Sequence, residues 1–219
     1  LNKKSNKFLI LIPAYNEEKT IKKIVESGIK FGKVLVVDDA SNDDTKNKAV
    51  LAGAMVLSHK HNLGYNLAID TGLKFFLKSK HKNIILLDAD GQHPTSYIKN
   101  YKKYLNQNYD VVCGNRKNIT RVGEKIFIFF AKFIWNLNDP LCGMKGYSKK
   151  FLKKLYEPAY YNFISTEYLI KARKRKFKIK EVFIKNMFRK DKSRFGEGIS
   201  INFYILFVFA PNWTNDFWA

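Results

Sequence analysis

The sequence predicts an α/β domain in which a mainly parallel β-sheet is flanked by helices. Short apolar runs alternate along the chain with segments whose apolar residues recur at helical spacing, a pattern typical of parallel strands joined by helices. The chain has 219 residues, which suits one domain with a substantial core. Acidic pairs directly follow two of the apolar runs, and ligands of such sheets bind beyond the carboxyl ends of the strands.

The predicted elements follow one another in a regular order. The strands are short apolar runs at 8–12, 34–37, 54–57, 84–87 and 111–113. The helices between them cover 19–30, 45–52, 66–78 and 97–105. In the first helix, one face carries Ile21, Ile24, Val25 and Ile29. A basic run at 171–180 fits a solvated helix end that leads into a further strand.

The charge balance and the cysteine content narrow the class of protein. The formal net charge is +21, and an excess of this size favours an anionic partner: a nucleic acid, a nucleotide, a phosphorylated lipid or an acidic membrane. The basic residues are spread along the chain and no nucleic-acid-binding motif is present, so a nucleic-acid partner is not expected. The two cysteines, Cys113 and Cys142, are too few for a disulfide scaffold and indicate a cytoplasmic protein.

The segment Asp88-Ala89-Asp90 is the sharpest signal of chemistry. At an extended strand end, residues i and i+2 point in the same direction, so the two carboxylates converge. Two close anions repel each other unless a cation lies between them, and oxygen ligands suit Mg²⁺ or Mn²⁺. Gln92 could add a third, neutral ligand. The alternative is an acidic turn built on Asp90 and Gly91.

Two other strand ends carry groups that suit a nucleotide. Asp38 and Asp39 follow the second strand, and a carboxylate at such an exposed end can accept a hydrogen bond from a ribose hydroxyl or a base N–H. The alternative is a helix cap, because 41–44 is rich in capping residues. Residues 13–18 close the first strand and open a helix, where backbone N–H groups attract phosphate or ribose.

Six segments occur in the order found in the family 2 glycosyltransferases, which have the GT-A fold. They are Pro13-Ala14-Tyr15-Asn16-Glu17-Glu18, Asp38-Asp39-Ala40-Ser41-Asn42-Asp43, Asn62-Leu63-Gly64-Tyr65-Asn66-Leu67-Ala68, Asp88-Ala89-Asp90-Gly91-Gln92-His93, Gly114-Asn115-Arg116 and Asp139-Pro140-Leu141-Cys142-Gly143. The chain resembles this family and, within it, the dolichyl- and polyprenyl-phosphate sugar synthases, whose late Arg-x-x-Gly-like segment is similar to 194–198. The resemblance implies a single nucleotide-binding GT-A domain over 1–198, followed by an apolar aromatic tail over 199–219.

The sequence departs from the pattern of the family at two places. Asn66 replaces the second glycine of the third segment, and because Asn tolerates positive φ better than most residues, we expect the turn to be kept. Gly198 stands where the subfamily has Ser, with no Lys after it. The second departure affects the inference of a lipid-phosphate acceptor more than the inference of a nucleotide-sugar donor.

The resemblance implies a metal-dependent, inverting transfer from a UDP- or GDP-sugar. The processive polysaccharide synthases of the family carry Gln-x-x-Arg-Trp, which is absent here, so transfer of a single sugar is expected. The implied roles are nucleotide binding by Pro13, Ala14, Tyr15, Glu17, Asp38, Asp39, Gly64, Asp88 and Ala89; metal binding by Asp88, Asp90 and Gln92; catalysis by Asp90, Arg116, Asp139 and Glu167; and acceptor binding by Arg116, Arg121 and Arg194.

The acceptor has two candidates at this point. A polyprenyl phosphate is already ionised and needs no general base. A hydroxyl of a cell-surface glycan or of a lipopolysaccharide precursor would need one, and Asp139 or Glu167 is the expected base. The alternative for each of these carboxylates is a helix cap or a buried structural acid. A nucleotide- or nucleic-acid-binding protein without catalysis is a remote alternative.

The sequence also predicts a protein that works at the cytoplasmic face of a membrane without crossing it. No segment reaches the roughly 20 apolar residues of a membrane-spanning helix. The segments 124–135 and 199–210 are nonetheless more apolar than solvent-facing ones, and a basic chain attracts anionic lipid. The alternative is that both segments pack on the sheet.

Among the histidines, His93 is expected behind the metal ligands, and His59 and His61 at the surface.

Overall fold

A computed structural model describes residues 7–117, 119, 121–156 and 164–185, where seven strands and seven α-helices are found. The strands are β1 (Phe8–Ala14), β2 (Lys33–Asp38), β3 (Met55–Ser58), β4 (Asn83–Leu86), β5 (Val111–Arg116), β6 (Lys145–Ser148) and β7 (Ile179–Ile184). The helices are α1 (Ile21–Ile29), α2 (Thr45–Leu51), α3 (Tyr65–Lys78), α4 (Ile98–Asn106), α5 (Val122–Trp135), α6 (Lys149–Leu155) and α7 (Ile164–Lys174). A short 3-10 turn at Thr95–Tyr97 leads into α4.

The strands form a single sheet in the order β3-β2-β1-β4-β6-β5-β7. β6 runs antiparallel to its neighbours β4 and β5, whereas the other pairings are parallel. The carboxyl ends of β1, β2, β4 and β5 therefore meet at one edge, which we call the carboxyl edge. Because β6 runs the opposite way, it begins at that edge, and the segment before it lies there too.

The core lies in two layers, one on each face of the sheet. On β1, Leu9 and Leu11 pack toward α3, α5, α6 and α7, while Ile10 and Ile12 pack toward α1, α2 and α4. Alternate side chains of a strand point to opposite faces, so a strand buried on both faces is apolar at every position. This is why the first, second and fourth strands could be predicted as continuous apolar runs.

The predicted fold class is confirmed, and the nine predicted elements are found with small changes at their ends. The basic run at 171–180 is confirmed as the end of α7 leading into β7. β6 escaped prediction, because its sequence, Lys145-Gly146-Tyr147-Ser148, has no apolar pattern.

The turn expected near Asn66 is kept, but the expected reason, a positive φ at Asn66, is wrong. Gly64 takes the positive φ of 91°, while Asn66 lies inside the first turn of α3, outside the residues with positive φ. Its side-chain oxygen instead accepts the backbone N–H of Ile164, at the start of α7, at 3.3 Å. The second glycine of the pattern is therefore not needed for the turn, and the Asn side chain connects α3 to α7.

Candidate active site

The carboxyl edge brings together the segments that the sequence singled out. β1 lies between β2 and β4, so the acidic segments at 38–39 and 88–90 end up on either side of the loop at 13–18. β5 ends at the same edge with Arg116, and the segment before β6 brings Asp139. Residues far apart in the chain are thus neighbours because parallel strands end together.

The Asp88–Asp90 motif follows β4 and is held by side chains from its own loop and from α3. The Tyr65 hydroxyl donates to Asp88 Oδ1 at 2.7 Å, and His93 Nδ1 lies 3.3 Å from Asp88 Oδ2. Asp90 Oδ1 accepts the backbone N–H of Gln92 at 2.9 Å. Burial raises the pKa of Asp88, but the contacts with His93 and Tyr65 outweigh this effect and hold the pKa below its usual range. Asp88 is therefore an anion at neutral pH.

The ligand atoms of this motif fit a hard divalent cation that binds together with a substrate. Asp88, Asp90 and Gln92 are half-buried at the carboxyl edge. Within the described ranges, no group of three or more His, Cys, Asp or Glu side chains could hold an ion by itself. Proteins typically bind Mg²⁺ through one or two carboxylates together with substrate phosphates. The residues present therefore fit Mg²⁺ or Mn²⁺ with the remaining ligands supplied by a diphosphate.

The main chain around the motif is held in place from two sides. The Thr20 hydroxyl, just before α1, donates to the carbonyl oxygen of Ala89 at 2.6 Å. On the other side, Gly143 lies so close that a Cβ there would be 2.0 Å from Asp88 Oδ2. Glycine is needed at this position because a side chain would displace the Asp88 carboxylate.

Asp39 anchors the loop after β3 instead of presenting a free carboxylate. Its Oδ1 accepts the Leu63 N–H at 2.9 Å and lies 2.6 Å from His59 Nδ1, while its Oδ2 accepts the Gly64 N–H at 2.7 Å. Both Asp38 and Asp39 are only 3% exposed. The expectation of an exposed strand end is therefore wrong, because the loop packs over it. The expected surface position of His59 is wrong for the same reason, since its side chain is 9% exposed.

The loop after β1 is tied to the loop after β2. The backbone N–H groups of residues 16–18 donate, in that order, to Ser41 Oγ at 2.9 Å, Thr45 Oγ1 at 2.7 Å and Asp43 Oδ2 at 3.1 Å. These three amides already have side-chain partners, so in this structure they do not face the phosphate or ribose predicted for this turn. Asp43 also accepts the Thr45 N–H at 3.0 Å, whereas Asp44, the N-cap residue of α2, makes no capping hydrogen bond through its side chain. Pro13 and Ala14 are buried, and Tyr15 and Glu17 are half-buried.

A cluster of four charged side chains forms the other end of the site. Asp139 is bound through both oxygens by Arg116, from Nε at 2.7 Å and from a terminal nitrogen at 3.0 Å, and it also accepts the Arg116 N–H at 3.0 Å. Glu124 bridges the two arginines, at 3.0 Å from Arg116 and 3.2 Å from Arg121. Burial lowers the pKa of Arg116, but Asp139 raises it above its usual range. We call this set the arginine cluster.

For the other predicted site residues, the structure shows fewer contacts or does not describe them. Glu167 lies half-buried in the first turn of α7, beside Thr166, whose hydroxyl donates to the Pro140 carbonyl oxygen at 2.9 Å. This turn therefore touches the segment that carries Asp139. Arg194 and the tail at 199–219 lie outside the described residues.

Sequence reasoning missed three residues of the site. Tyr65 lies within a quoted motif, but nothing local shows that its hydroxyl reaches Asp88. Glu124 was noted only as the start of an apolar segment. Lys145 is a fully buried lysine near the carboxyl edge, and a single charge between Met144 and Gly146 was the available signal.

Known proteins are similar to this chain in sequence. The model of the family described as "Glycosyl transferase family 2" matches residues 9–171. An uncharacterised protein of Methanocaldococcus jannaschii is 34% identical over 92% of this chain and 90% of its own length. The UDP-N-acetylglucosamine–dolichyl-phosphate N-acetylglucosaminyltransferase of Methanococcus voltae is 29% identical over 90% of this chain and 92% of its own length.

Solved structures show the same fold. Glucosyl-3-phosphoglycerate synthase from Mycobacterium tuberculosis, crystallised with Mn²⁺, UDP and phosphoglyceric acid, superimposes with a TM-score of 0.72 at 20% identity, over 87% of this chain and 73% of that one. The architecture is therefore the GT-A fold that the sequence motifs imply. Because the family model covers well over half of the chain and includes all six motifs, this chain belongs to glycosyl transferase family 2.

Proposed function

We propose that the chain transfers one sugar from a nucleoside diphosphate sugar to a polyprenyl phosphate, with inversion at the anomeric carbon. One observation carries the proposal: a carboxylate pair that fits a metal-bound diphosphate lies on the same sheet edge as the half-buried arginine cluster. Guanidinium groups pair well with phosphate, so the cluster suits a second phosphorylated substrate. The name of the Methanococcus voltae relative, which specifies dolichyl phosphate as acceptor, supports this choice.

On the donor side, Asp88 and Asp90 would hold Mg²⁺ or Mn²⁺ against the diphosphate, and this ion would neutralise charge on the departing nucleoside diphosphate. Tyr65 orients Asp88 through its hydroxyl. Asp39 contributes indirectly, because it shapes the loop that ends at Gly64. UDP and GDP are the candidate nucleotides, and the M. tuberculosis structure with UDP and Mn²⁺ supports the first.

On the acceptor side, the chain's own residues favour an acceptor that needs no base. Asp139 has both oxygens bound to Arg116, and its side chain is 0% exposed. A carboxylate held in this way is a poor proton acceptor, because protonation would remove the charge that pairs through both oxygens with the mostly buried Arg116 guanidinium. A phosphate oxygen is already ionised and can attack directly, with Arg116 and Arg121 orienting the acceptor phosphate.

A transfer assay tests the reaction. The purified protein would be given UDP- and GDP-sugars with Mn²⁺ and either a short polyprenyl phosphate or a soluble glycan. We expect one sugar on the lipid phosphate, with the anomeric configuration inverted as read by NMR. Turnover of the glycan but not of the lipid phosphate would refute the acceptor and would favour Glu167 as a general base.

We also propose that α5 rests on an anionic membrane surface. One face of this helix, the α5 stripe, consists of Val122, Ile126, Phe129 and Phe133, which are 62%, 40%, 70% and 80% exposed. The opposite face is buried and carries Phe127, Ala131 and Trp135. Lys125 and Lys132 are exposed on the same helix. Apolar side chains flanked by lysines fit the interface of a bilayer with anionic headgroups.

The α5 stripe begins next to the arginine cluster, so lipid docking there would bring an acceptor phosphate to Arg121. No helix within the described part of the chain is long and apolar enough to cross a membrane. Contact through one helix face is therefore the mode of binding that these residues support.

Flotation with vesicles containing anionic lipid tests this surface. Phe129→Ser with Phe133→Ser should reduce vesicle binding several-fold, because the two most exposed rings of the stripe are lost. A matched control is Val50→Ser with Leu51→Ser on α2, where the exposure is 52% and 83%. Equal binding by wild type and the phenylalanine variant would refute the docking surface.

A further inference from the structure

Lys145 is a buried charge that the proposed reaction does not use. It is the first residue of β6 and is 0% exposed. Its Nζ donates to the Cys142 carbonyl oxygen at 2.5 Å and to Ser165 Oγ at 3.3 Å. Among the described residues, no carboxylate pairs with it directly. Burial lowers the pKa of Lys145. Burying an ammonium without an ion-pair partner is costly, so we expect its hydrogen bonds to hold neighbouring segments in position.

The carbonyl that Lys145 holds belongs to the segment lying against Asp88. We call residues 139–143 the bridging segment. Gly143 leaves no room for a Cβ beside Asp88 Oδ2. Cys142 Sγ lies 3.6 Å from His93 Nε2, and His93 Nδ1 lies 3.3 Å from Asp88 Oδ2. The bridging segment therefore confines the Asp88 carboxylate in two ways, through its main chain and through His93.

The second partner of Lys145 ties the bridging segment to α7. Ser165 lies in the first turn of that helix, and its carbonyl oxygen accepts the Tyr147 hydroxyl at 3.0 Å. The neighbouring Thr166 hydroxyl holds the Pro140 carbonyl oxygen at 2.9 Å. Lys145 thus joins β6, α7 and the bridging segment at a point where each is already anchored.

We propose that Lys145 is a positioning residue of the metal site. Its ammonium fixes the Cys142–Gly143 peptide, and this peptide keeps Asp88 in the rotamer that can face a divalent ion together with Asp90. The inference rests on the proposed function, since it concerns metal binding at these two carboxylates. Lys145 itself does not touch the ion or the substrate.

Direct binding of Mn²⁺ tests this role without an activity assay. Lys145→Met keeps the length of the side chain but removes the donor. Free Mn²⁺ is measured by its paramagnetic resonance signal in the presence of UDP, and UDP binding without metal is measured by calorimetry. We expect the dissociation constant for Mn²⁺ with UDP to rise about tenfold, the scale at which partners behind the ligands act. Metal-free UDP binding should stay within about twofold of wild type, a margin too small to reflect a lost contact.

The matched control is Lys149→Met. Lys149 also donates from Nζ to a backbone carbonyl, that of Ser79, but it does so at the opposite edge of the sheet. This variant should bind Mn²⁺ as the wild type does. If Lys145→Met does not fold, Ser165→Ala removes the weaker of the two partners and should shift Mn²⁺ binding in the same direction.

Three outcomes overturn parts of the argument and can be told apart. Unchanged Mn²⁺ binding in folded Lys145→Met refutes the positioning role. An equal loss of metal-free UDP binding assigns Lys145 a general structural role and also refutes it. A wild-type protein that binds no Mn²⁺ with UDP refutes the proposed function itself.

Discussion

The Asp139→Asn substitution distinguishes two possible roles of Asp139, that of a buried counterion and that of a general base. In the arginine cluster, Asp139 accepts three hydrogen bonds from Arg116, and its side chain is fully buried. Asn keeps the shape of the side chain but loses the charge. It also turns an amide NH₂ toward the guanidinium, so one of the two contacts becomes donor against donor. Arg116 then keeps only Glu124 as a carboxylate partner among the described residues.

The expected loss of stability in Asp139→Asn follows from the burial of the Arg116–Asp139 ion pair. Removing one partner of a buried ion pair costs about 3–5 kcal/mol in the free energy of unfolding. For a domain of this size, each kcal/mol lowers the melting temperature by about 2–4 °C, so a decrease of about 6–20 °C is expected. Replacing both partners by apolar residues is often neutral. The double variant Arg116→Met with Asp139→Leu should therefore recover only part of the lost stability, since the backbone N–H of residue 116 loses its acceptor, and it should remain inactive.

Thermal unfolding followed by circular dichroism, together with the transfer assay, distinguishes the two roles. If Asp139 is a counterion, Asp139→Asn should melt at a lower temperature, and the double variant should regain part of the melting temperature without regaining turnover. A general base predicts the wild-type melting temperature with a loss of turnover in the single variant. The second pattern would refute our interpretation of the arginine cluster.

Three other substitutions test the rest of the site. Asp90→Asn should keep the fold, because Asp90 is only half-buried, but lower turnover by orders of magnitude, and full activity in EDTA would contradict the metal assignment. Asp39→Ala should lower the free energy of unfolding by roughly 1–3 kcal/mol, because two loop amides lose their acceptor; an unchanged urea midpoint would argue against its anchoring role. Glu124→Gln should lower the KM for a phosphate acceptor several-fold, because Arg121 loses a competing carboxylate. A raised KM would show instead that Glu124 positions the arginines.

The fold and the location of the site were predictable because both depend on local pattern and chain direction. β1, β2 and β4 are buried on both faces, so each is a continuous apolar run, and the residues after them are at the carboxyl edge whatever the packing details. The same reasoning failed for β6. Its lysine and glycine interrupt the apolar pattern, and the antiparallel direction of this strand depends on pairing with β4 and β5.

The partners of the site carboxylates were not predictable, because they come from distant parts of the chain. Asp39 meets the amides of residues 63 and 64, and Asp139 meets Arg116 from another strand end. Because side chains alternate between the two faces of a strand, the position of a carboxylate along the strand shows which way it points. Whether a ligand can reach its oxygens depends on which loops pack against it. Local periodicity therefore located the acidic strand ends, whereas long-range packing left Asp88 and Asp90 half-buried at the edge and made Asp39 and Asp139 buried anchors.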